Sequence, residues 1–292
     1  MKNKIFICIC TNNRKLKLFK NLNSILGLKN FSIYDIEIIL VSNDRLSYKD
    51  FLEKFKNTLK ISFFRESLSG VSCSRNRILK ILRNKKFDYG VFVDDDCIFS
   101  QNWLISMMKV LKKEKVDIVG GPQITKSNNI LLRIMERNFR NELEIKWVST
   151  NNVIFKSNIL KNDINFNNEL NHIGGEDQLF FLSLNKIGKK IFWNSNATVF
   201  ELSDKKRENL KWFIKRNLRY GGSAVIIYKS LYGNFLGYLI LLVKLMNDFR
   251  KLAIFLIKTL FLSKKSFYSF LMYKARILGV FFGLLGFQIK EY

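Results

Sequence analysis

Proline is nearly absent: Pro122 is the only one in 292 residues, so no Pro-rich linker divides the chain. Cysteine is sparse as well. Cys8, Cys10, Cys73 and Cys97 have neither zinc-ligand spacing nor the density of a disulfide framework, and a reducing cytoplasm fits them. Cys8 and Cys10 sit in an apolar run and read as small core residues. A secretory signal is missing too, since Lys2 and Lys4 precede only the short apolar run 5–10. The expectation is that the N-terminal part stays in the cytosol. Long apolar runs are also lacking. The longest charge-free stretches near the C-terminus, 230–243 and 277–289, fall short of the roughly 18–20 residues that cross a bilayer. Acidic residues are the last deficit: 24 Asp and Glu face 50 Lys and Arg, a formal charge of +26. That balance implies a polyanionic partner, whether nucleic acid, an anionic membrane surface or phosphate-bearing substrates.

Apolar residues are plentiful. They make up 48% of the chain, with 27 Phe, enough for a large core and against wholesale disorder. The abundance of Lys, Asn, Ile and Phe looks like AT-rich coding, so a single Asn or Lys carries little weight. Up to about residue 120, short apolar runs alternate with helical patterns. Strands are expected at 4–10, 36–41, 60–65, 89–93 and 117–120, and helices near 14–27, 48–58, 72–83 and 101–114. The uninterrupted apolarity of 36–41 argues for burial on both faces, hence a parallel sheet with helical crossovers. The expected fold is α/β, a doubly wound, mostly parallel, Rossmann-like sheet. Farther on, 147–156 and 190–200 read as extended, and 130–140 and 176–187 as helical.

Three carboxylates, Asp94-Asp95-Asp96, follow the apolar run 89–93. Clustered like charges are unfavourable unless a cation sits among them. At the end of a buried strand, hard oxygen ligands suit Mg²⁺ or Mn²⁺ carrying a phosphorylated ligand. A second acidic pair, Glu176-Asp177, follows Gly174-Gly175. Thr11-Asn12-Asn13-Arg14 and Ser42-Asn43-Asp44-Arg45 stand directly after the first two strands, where polar side chains and guanidinium groups suit a nucleotide. Gly70-Val71-Ser72-Cys73-Ser74-Arg75-Asn76-Arg77 opens a helix whose N-terminus suits a phosphate or nucleoside. A plain capped helix reads equally well there.

Together these motifs resemble glycosyltransferase family 2, inverting enzymes of the nucleotide-sugar-binding GT-A fold, from residue 4 to about 230. Ile9 to Arg14 resembles the family's first-strand motif, Ser74 to Arg77 its Ala-Arg-Asn segment, and Val93 to Asp96 its Asp-x-Asp motif. Ser149-Thr150-Asn151-Asn152 resembles its acceptor-side segment, and Gly174 to Asp177 its Glu-Asp motif. The similarity is nearest to bacterial polysaccharide-assembly transferases like the succinoglycan glucosyltransferases. Residues 197–201, Trp212, Arg216, Arg219, Gly221, Gly222 and the tail from Gly283 to Glu291-Tyr292 carry that likeness.

The resemblance implies Thr11, Asn13, Arg14, Asp44, Arg75, Asp94 and Asp95 as donor-binding residues. It implies Asp96, Asp94 and Glu201 as ligands of Mg²⁺ or Mn²⁺. Glu201 stands where many members carry a His, and Ser42 where many carry the Asp that contacts the base, a contact that Asp44 or Asn43 would take over. Asp177 becomes the general base, with Glu176 orienting the acceptor, while Arg216, Arg219 and Asn152 serve the diphosphate or acceptor. His172, in a polar stretch, reads as non-catalytic. The implied partners are a nucleotide-diphospho-sugar and a lipid-linked oligosaccharide, in a metal-dependent hexosyltransferase of cell-surface polysaccharide biosynthesis.

From residue 206 the chain turns basic, then apolar. Lys244, Asp248, Lys251 and Lys258 recur within a helical stripe of about 80°. This favours an amphipathic helical pair on an anionic membrane, with Lys264 and Lys265 at its turn. The alternative is a soluble helical subdomain or dimer interface. The expected division is therefore a catalytic domain over 1–205 and a membrane-associating appendage over 206–292. The expected location is the cytoplasmic face of the inner membrane, peripheral or monotopic. Two other functions compete with this reading. A sugar nucleotidyltransferase would show a Gly-rich basic loop after the first strand, which residues 11–14 lack. A nucleic-acid-binding protein suits the charge, yet no binding motif appears and the two acidic clusters oppose it; no nucleic-acid partner is expected.

Overall fold

A computed structural model describes residues 2–260 and 263–290; Glu291-Tyr292 of the tail lie outside the described residues. The strands in chain order are β1 (Lys4–Thr11), β2 (Asp35–Ser42), β3 (Lys60–Arg65), β4 (Tyr89–Asp94), β5 (Cys97–Phe99), β6 (Ile118–Gly120), β7 (Gln123–Thr125), β8 (Glu144–Ile145), β9 (Asn152–Lys156), β10 (Ile191–Trp193) and β11 (Val199–Glu201). The helices are α1 (Lys15–Leu26), α2 (Lys49–Glu53), α3 (Val71–Arg83), α4 (Trp103–Leu111), α5 (Ile130–Met135), α6 (Glu176–Lys186), α7 (Leu210–Thr259) and α8 (Lys264–Leu284).

The chain forms two compact units: Met1–Lys126 with Arg137–Phe166 and Phe180–Leu202, and Ser127–Glu136 with Asn167–Leu179 and Ser203–Tyr292. The first holds an eight-stranded sheet of order β3-β2-β1-β4-β9-β6-β10-β8 and a three-stranded sheet of order β5-β11-β7. β1 to β4 run parallel, and β9 enters antiparallel between β4 and β6. Thus the sheet is mostly parallel, as the apolar runs predict. Ile5, Ile7 and Ile9 face one layer of the core, and Phe6 and Cys8 the other, both apolar. α1 buries Leu18, Leu22 and Ile25 at helical spacing, and α3 buries Ile78, Leu79 and Leu82. The register Thr11↔Ser42 and Cys10↔Asp94 lines up the C-terminal ends of β1, β2 and β4.

The sequence pattern overextends several elements. α2 stops at Glu53, α5 at Met135, and only 152–156 of the 147–156 stretch is strand. Asn152 explains the late start of β9. Its amide donates to Pro122 O and Ala197 O at 2.9 and 2.8 Å, and its Oδ1 accepts from Trp103 Nε1 at 2.7 Å.

In the second unit, α7 is two helices joined at Gly233, whose φ of 76° and ψ of 179° no other residue type adopts readily. The turn returns Gly237 to the backbone of Tyr228, where a Cβ would stand 2.6 Å from the carbonyl oxygen. Ala224 and Val225 before the break share a core with Leu241 and Leu245 beyond it and with Ile277 and Val280 of α8. Glycine sets the approach of α7 and α8. A Cβ on Gly221 would lie 2.0 Å from Arg276 O, and one on Gly279 2.0 Å from Leu218 O. Lys264 and Lys265 begin α8, and Ser263 caps it through its side chain.

Candidate functional site

The first unit gathers most of the sequence-predicted residues at the ends of β1, β2 and β4. β4 ends at Asp94, and the turn to β5 carries the other two acids. Asn21, fully buried on α1, grips this turn by donating to Cys97 O at 2.6 Å and Asp94 O at 3.3 Å. Thr11 Oγ1 donates to Asp95 Oδ2 at 2.7 Å. Arg14 Nη1 lies 3.3 Å from Asp95 Oδ1 and 3.2 Å from Asp96 Oδ2. Lys17 Nζ lies 3.5 Å from the same Asp96 oxygen. Arg75 Nη2, at the start of α3, stands 3.6 Å from Asp94 Oδ1. Its neighbour Asn76 explains that position: Asn76 bonds both backbone groups of Phe166, whose ring lies 5.6 Å from the Arg75 guanidinium.

The second strand end is equally ordered. Asp44 accepts from Asn13 N, Leu46 N and Tyr48 OH at 2.6, 2.8 and 2.9 Å. Burial raises its pKa, but these donors more than offset that, and the carboxyl is held below its usual value. Asn13 adopts φ of 54° to present its amide. Asn43 is spent on scaffolding: it donates to Glu66 O and Leu68 O and accepts from Gly70 N, tying β2 to the loop before α3. Sequence reasoning did not single out Lys17, Asn21 or Tyr48. A buried Asn on the apolar face of α1 was the one readable signal.

Enclosure and mutual repulsion dominate the trio. Asp94 keeps 40% of its side-chain surface open. Even so, desolvation by the surrounding protein pushes its pKa up to about 7; Arg75 opposes the shift, while Asp96, Asp95 and Glu201 add to it. Burial raises Asp95 to about 6, with Arg14 and Thr11 opposing and Asp96 adding. The pairing Glu201↔Cys97 and the bond from Leu202 N to Asp96 O bring Glu201 beside the trio.

These donors fit a hard divalent cation chemically. Among the described residues, no three His, Cys, Asp or Glu side chains converge tightly enough to hold an ion alone. The expected ligands Asp94, Asp96 and Glu201 are therefore neighbours but not a closed ligand set.

The second unit holds the other acidic pair. Gly174 and Gly175, at φ of 85° and 96°, lead into α6 and put Glu176 and Asp177 in its first turn, where carboxylates favour the helix dipole. Glu176 is buried; Asp177 is half-buried, with Oδ1 accepting from Gln178 N at 2.7 Å. The glycines lie against α7. A Cβ on Gly175 would sit 2.9 Å from Ile227 and 3.1 Å from Ser223 Oγ, and one on Gly174 4.0 Å from Arg219 Nη2. Arg219 is buried, and Arg216 stacks between Trp212 and Tyr220 while donating to the Tyr220 hydroxyl at 2.9 Å. His172 is exposed.

The family profile described as Glycosyl transferase family 2 matches residues 6–192. The chain belongs to that family. The matched span covers both acidic clusters and reaches into every strand but β11. An uncharacterized glycosyltransferase of Acanthamoeba polyphaga mimivirus is 29% identical over 109 residues, 36% of this chain and 42% of that protein. The chain thus spans under half the length of that relative. Among solved structures, the mannosyltransferase PcManGT of Pyrobaculum calidifontis, in complex with GDP-Man and Mn²⁺, aligns with a TM-score of 0.65 at 13% identity, covering 98% of this chain and 88% of that one. S. aureus TarS aligns at 0.56 and 17% identity, covering 78% of this chain and 39% of that one; its 1-349 fragment with UDP covers 80% and 67%. At these identities the likeness establishes the family's GT-A fold.

Both raised carboxyls bear on stability. The folded protein without metal retains protons on them that the unfolded chain releases near pH 4, so stability falls as pH rises from about 4 to about 7. Asp94→Asn removes part of that loss. The melting temperature of the metal-free variant should decline less between pH 5 and pH 8 than that of the wild type, by about 2–4 °C per kcal/mol relieved. Identical declines would show that Asp94 ionises without strain.

Proposed function

We propose that this chain is an inverting hexosyltransferase, moving a sugar from a nucleotide-diphospho-sugar to a lipid-linked oligosaccharide in cell-surface polysaccharide biosynthesis. The observation that carries the reading is the cluster at the ends of β1, β2 and β4, where three carboxylates meet Arg14, Lys17 and Arg75. Ligands of open α/β sheets bind at the carboxyl ends of the strands, which supports a phosphorylated ligand at this cluster. Complexes of structural neighbours with UDP and with GDP-Man and Mn²⁺ support the donor class.

In this reading Asp44, Asn13 and Thr11 frame the nucleoside pocket, and Arg75 and Asp95 border the donor. Asp96, with Asp94 and Glu201, would hold Mg²⁺ or Mn²⁺, which when bound offsets the charge of the departing diphosphate. Asp177 is the general base. It takes the acceptor's proton as the acceptor oxygen attacks the anomeric carbon opposite the leaving group, which inverts the configuration. Glu176 orients the acceptor, and Arg216 and Arg219 serve the diphosphate or acceptor. Asn152 acts through the backbone, holding Asn151 on the acceptor side.

The acceptor assignment rests on the helical region. Many of its apolar side chains face outward: Phe235, Val243 and Leu260 are 80, 68 and 77% exposed, with Leu242, Met246, Leu285 and Phe287 more than half exposed. Three polar residues turn inward. Asp248 is buried and paired with Lys244 at 2.9 Å, and Lys251 lies over Tyr273 of α8. Asp248 is the one acid between 209 and 290, against fourteen Lys and Arg. An exposed apolar surface in so basic a segment fits an anionic bilayer. Among the described residues, α8 alone is long and apolar enough to span one, by length and composition. The exposed cations Arg250 and Lys274, within the apolar stretches, favour helices lying at the headgroups. The proposed location is the cytoplasmic face of the plasma membrane.

Two measurements test the reading. Asp177→Asn should lower transfer from a panel of nucleotide sugars by about 10²–10⁴-fold and leave nucleotide-sugar affinity within about twofold; unchanged turnover removes Asp177 as base. The protein should co-sediment with phosphatidylglycerol vesicles, less so at high salt, and poorly with phosphatidylcholine alone. Val243→Glu with Met246→Glu should release it. Equal binding by that variant would assign the apolar face to another partner, such as a second copy of the chain.

A further inference from the structure

Two separate cations converge on one oxygen of the trio. Arg14 Nη1 and Lys17 Nζ stand 3.2 and 3.5 Å from Asp96 Oδ2, and Arg14 also reaches Asp95. Together they supply the two positive charges that a divalent ion would bring to the same carboxylate. Lys17 is the less expected of the pair. It lies in the first turn of α1, where the helix dipole disfavours a cation and no acidic neighbour offsets it. Asp96, nearly buried, is what makes that position favourable. Arg14 is drawn in by two carboxylates, whereas Lys17 makes the single ion pair with Asp96, on a flexible four-carbon stem that is 27% exposed.

We propose that Lys17, seconded by Arg14, is the resident counter-ion of Asp96: it keeps the trio folded without metal, yields Asp96 when a divalent ion arrives with a diphosphate, and then binds that diphosphate. The inference rests on the nucleotide-sugar reading and adds a positioning and binding residue to it. Lysine suits the role, because an ammonium pairs with either a carboxylate or a phosphate as a point charge. The exchange makes metal and diphosphate binding cooperative, since each removes a cost from the other. Free metal must displace Lys17 with no new partner for the ammonium, whereas a metal–diphosphate complex supplies one.

The test uses Mn²⁺ alone and Mn²⁺ with inorganic pyrophosphate on the full chain. Free Mn²⁺ is read by electron paramagnetic resonance and pyrophosphate binding by calorimetry. Lys17→Met should bind Mn²⁺ alone about tenfold more tightly than wild type, and should bind pyrophosphate in saturating Mn²⁺ at least about fivefold more weakly. Lys17→Arg should restore both values towards wild type. Unchanged Mn²⁺ affinity in Lys17→Met overturns the proposal, as does unchanged pyrophosphate affinity or the absence of Mn²⁺ binding by either protein. A wild type that turns over nucleotide sugars while Lys17→Met leaves metal and pyrophosphate binding unaltered would sink this proposal alone. A wild type inert towards all nucleotide sugars would sink the broader reading.

Discussion

Three carboxylates in succession at the end of a buried strand form the constraint around which the first unit is arranged. Their repulsion and desolvation push two of them well above the ordinary carboxylate range. The fold answers with charge delivered from separate elements: Arg14 and Lys17 from the start of α1, Arg75 from the start of α3, and a hydroxyl from Thr11 at the end of β1. Parallel pairing of β1 with β2 and β4 brings those starts to one edge. Asn21 and Asn76 then lock the turn and the α3 entrance through backbone bonds. Removing cations here would leave buried charge unanswered, a much larger penalty than losing a surface ion pair.

Much of this was legible because it depends on short continuous apolar runs and on strand ends. The runs 4–10, 36–41, 60–65 and 89–93 became β1 to β4 with shifts of at most one residue. Residues that follow a buried strand are placed by the strand itself, so Thr11, Asp44 and the trio could be named in advance. What could not be read were side chains whose roles arise from tertiary contact. Lys17 looks like any helical lysine until Asp96 is beside it. Asn43 and Asn152 look like binding residues until their amides are found bonded within the fold. The short strands β5, β7 and β8 have two or three residues, too few for periodicity to register.

The helical region teaches a related lesson. Periodicity revealed the stripe of Lys244, Asp248, Lys251 and Lys258, but not that Lys244, Asp248 and Lys251 turn towards the bundle while Lys258 stays exposed. Asp248 tolerates burial because Lys244 one turn away neutralises it, leaving the apolar side outward. The glycine pairs 221–222 and 279 with 283 let α7 and α8 approach to backbone contact, so the bundle holds together through close packing. Gly233 supplies the reversal that a continuous helical pattern hides.

The central claim is that the trio serves a phosphorylated donor through a bound cation. It is tested most directly by measuring nucleoside-diphosphate release from a panel of nucleotide sugars, with and without Mn²⁺, for the wild type and Asp96→Ala. The account predicts Mn²⁺-dependent release of nucleoside diphosphate by the wild type and its loss in the variant. Release of pyrophosphate, or equal Mn²⁺-dependent turnover by both proteins, would contradict it.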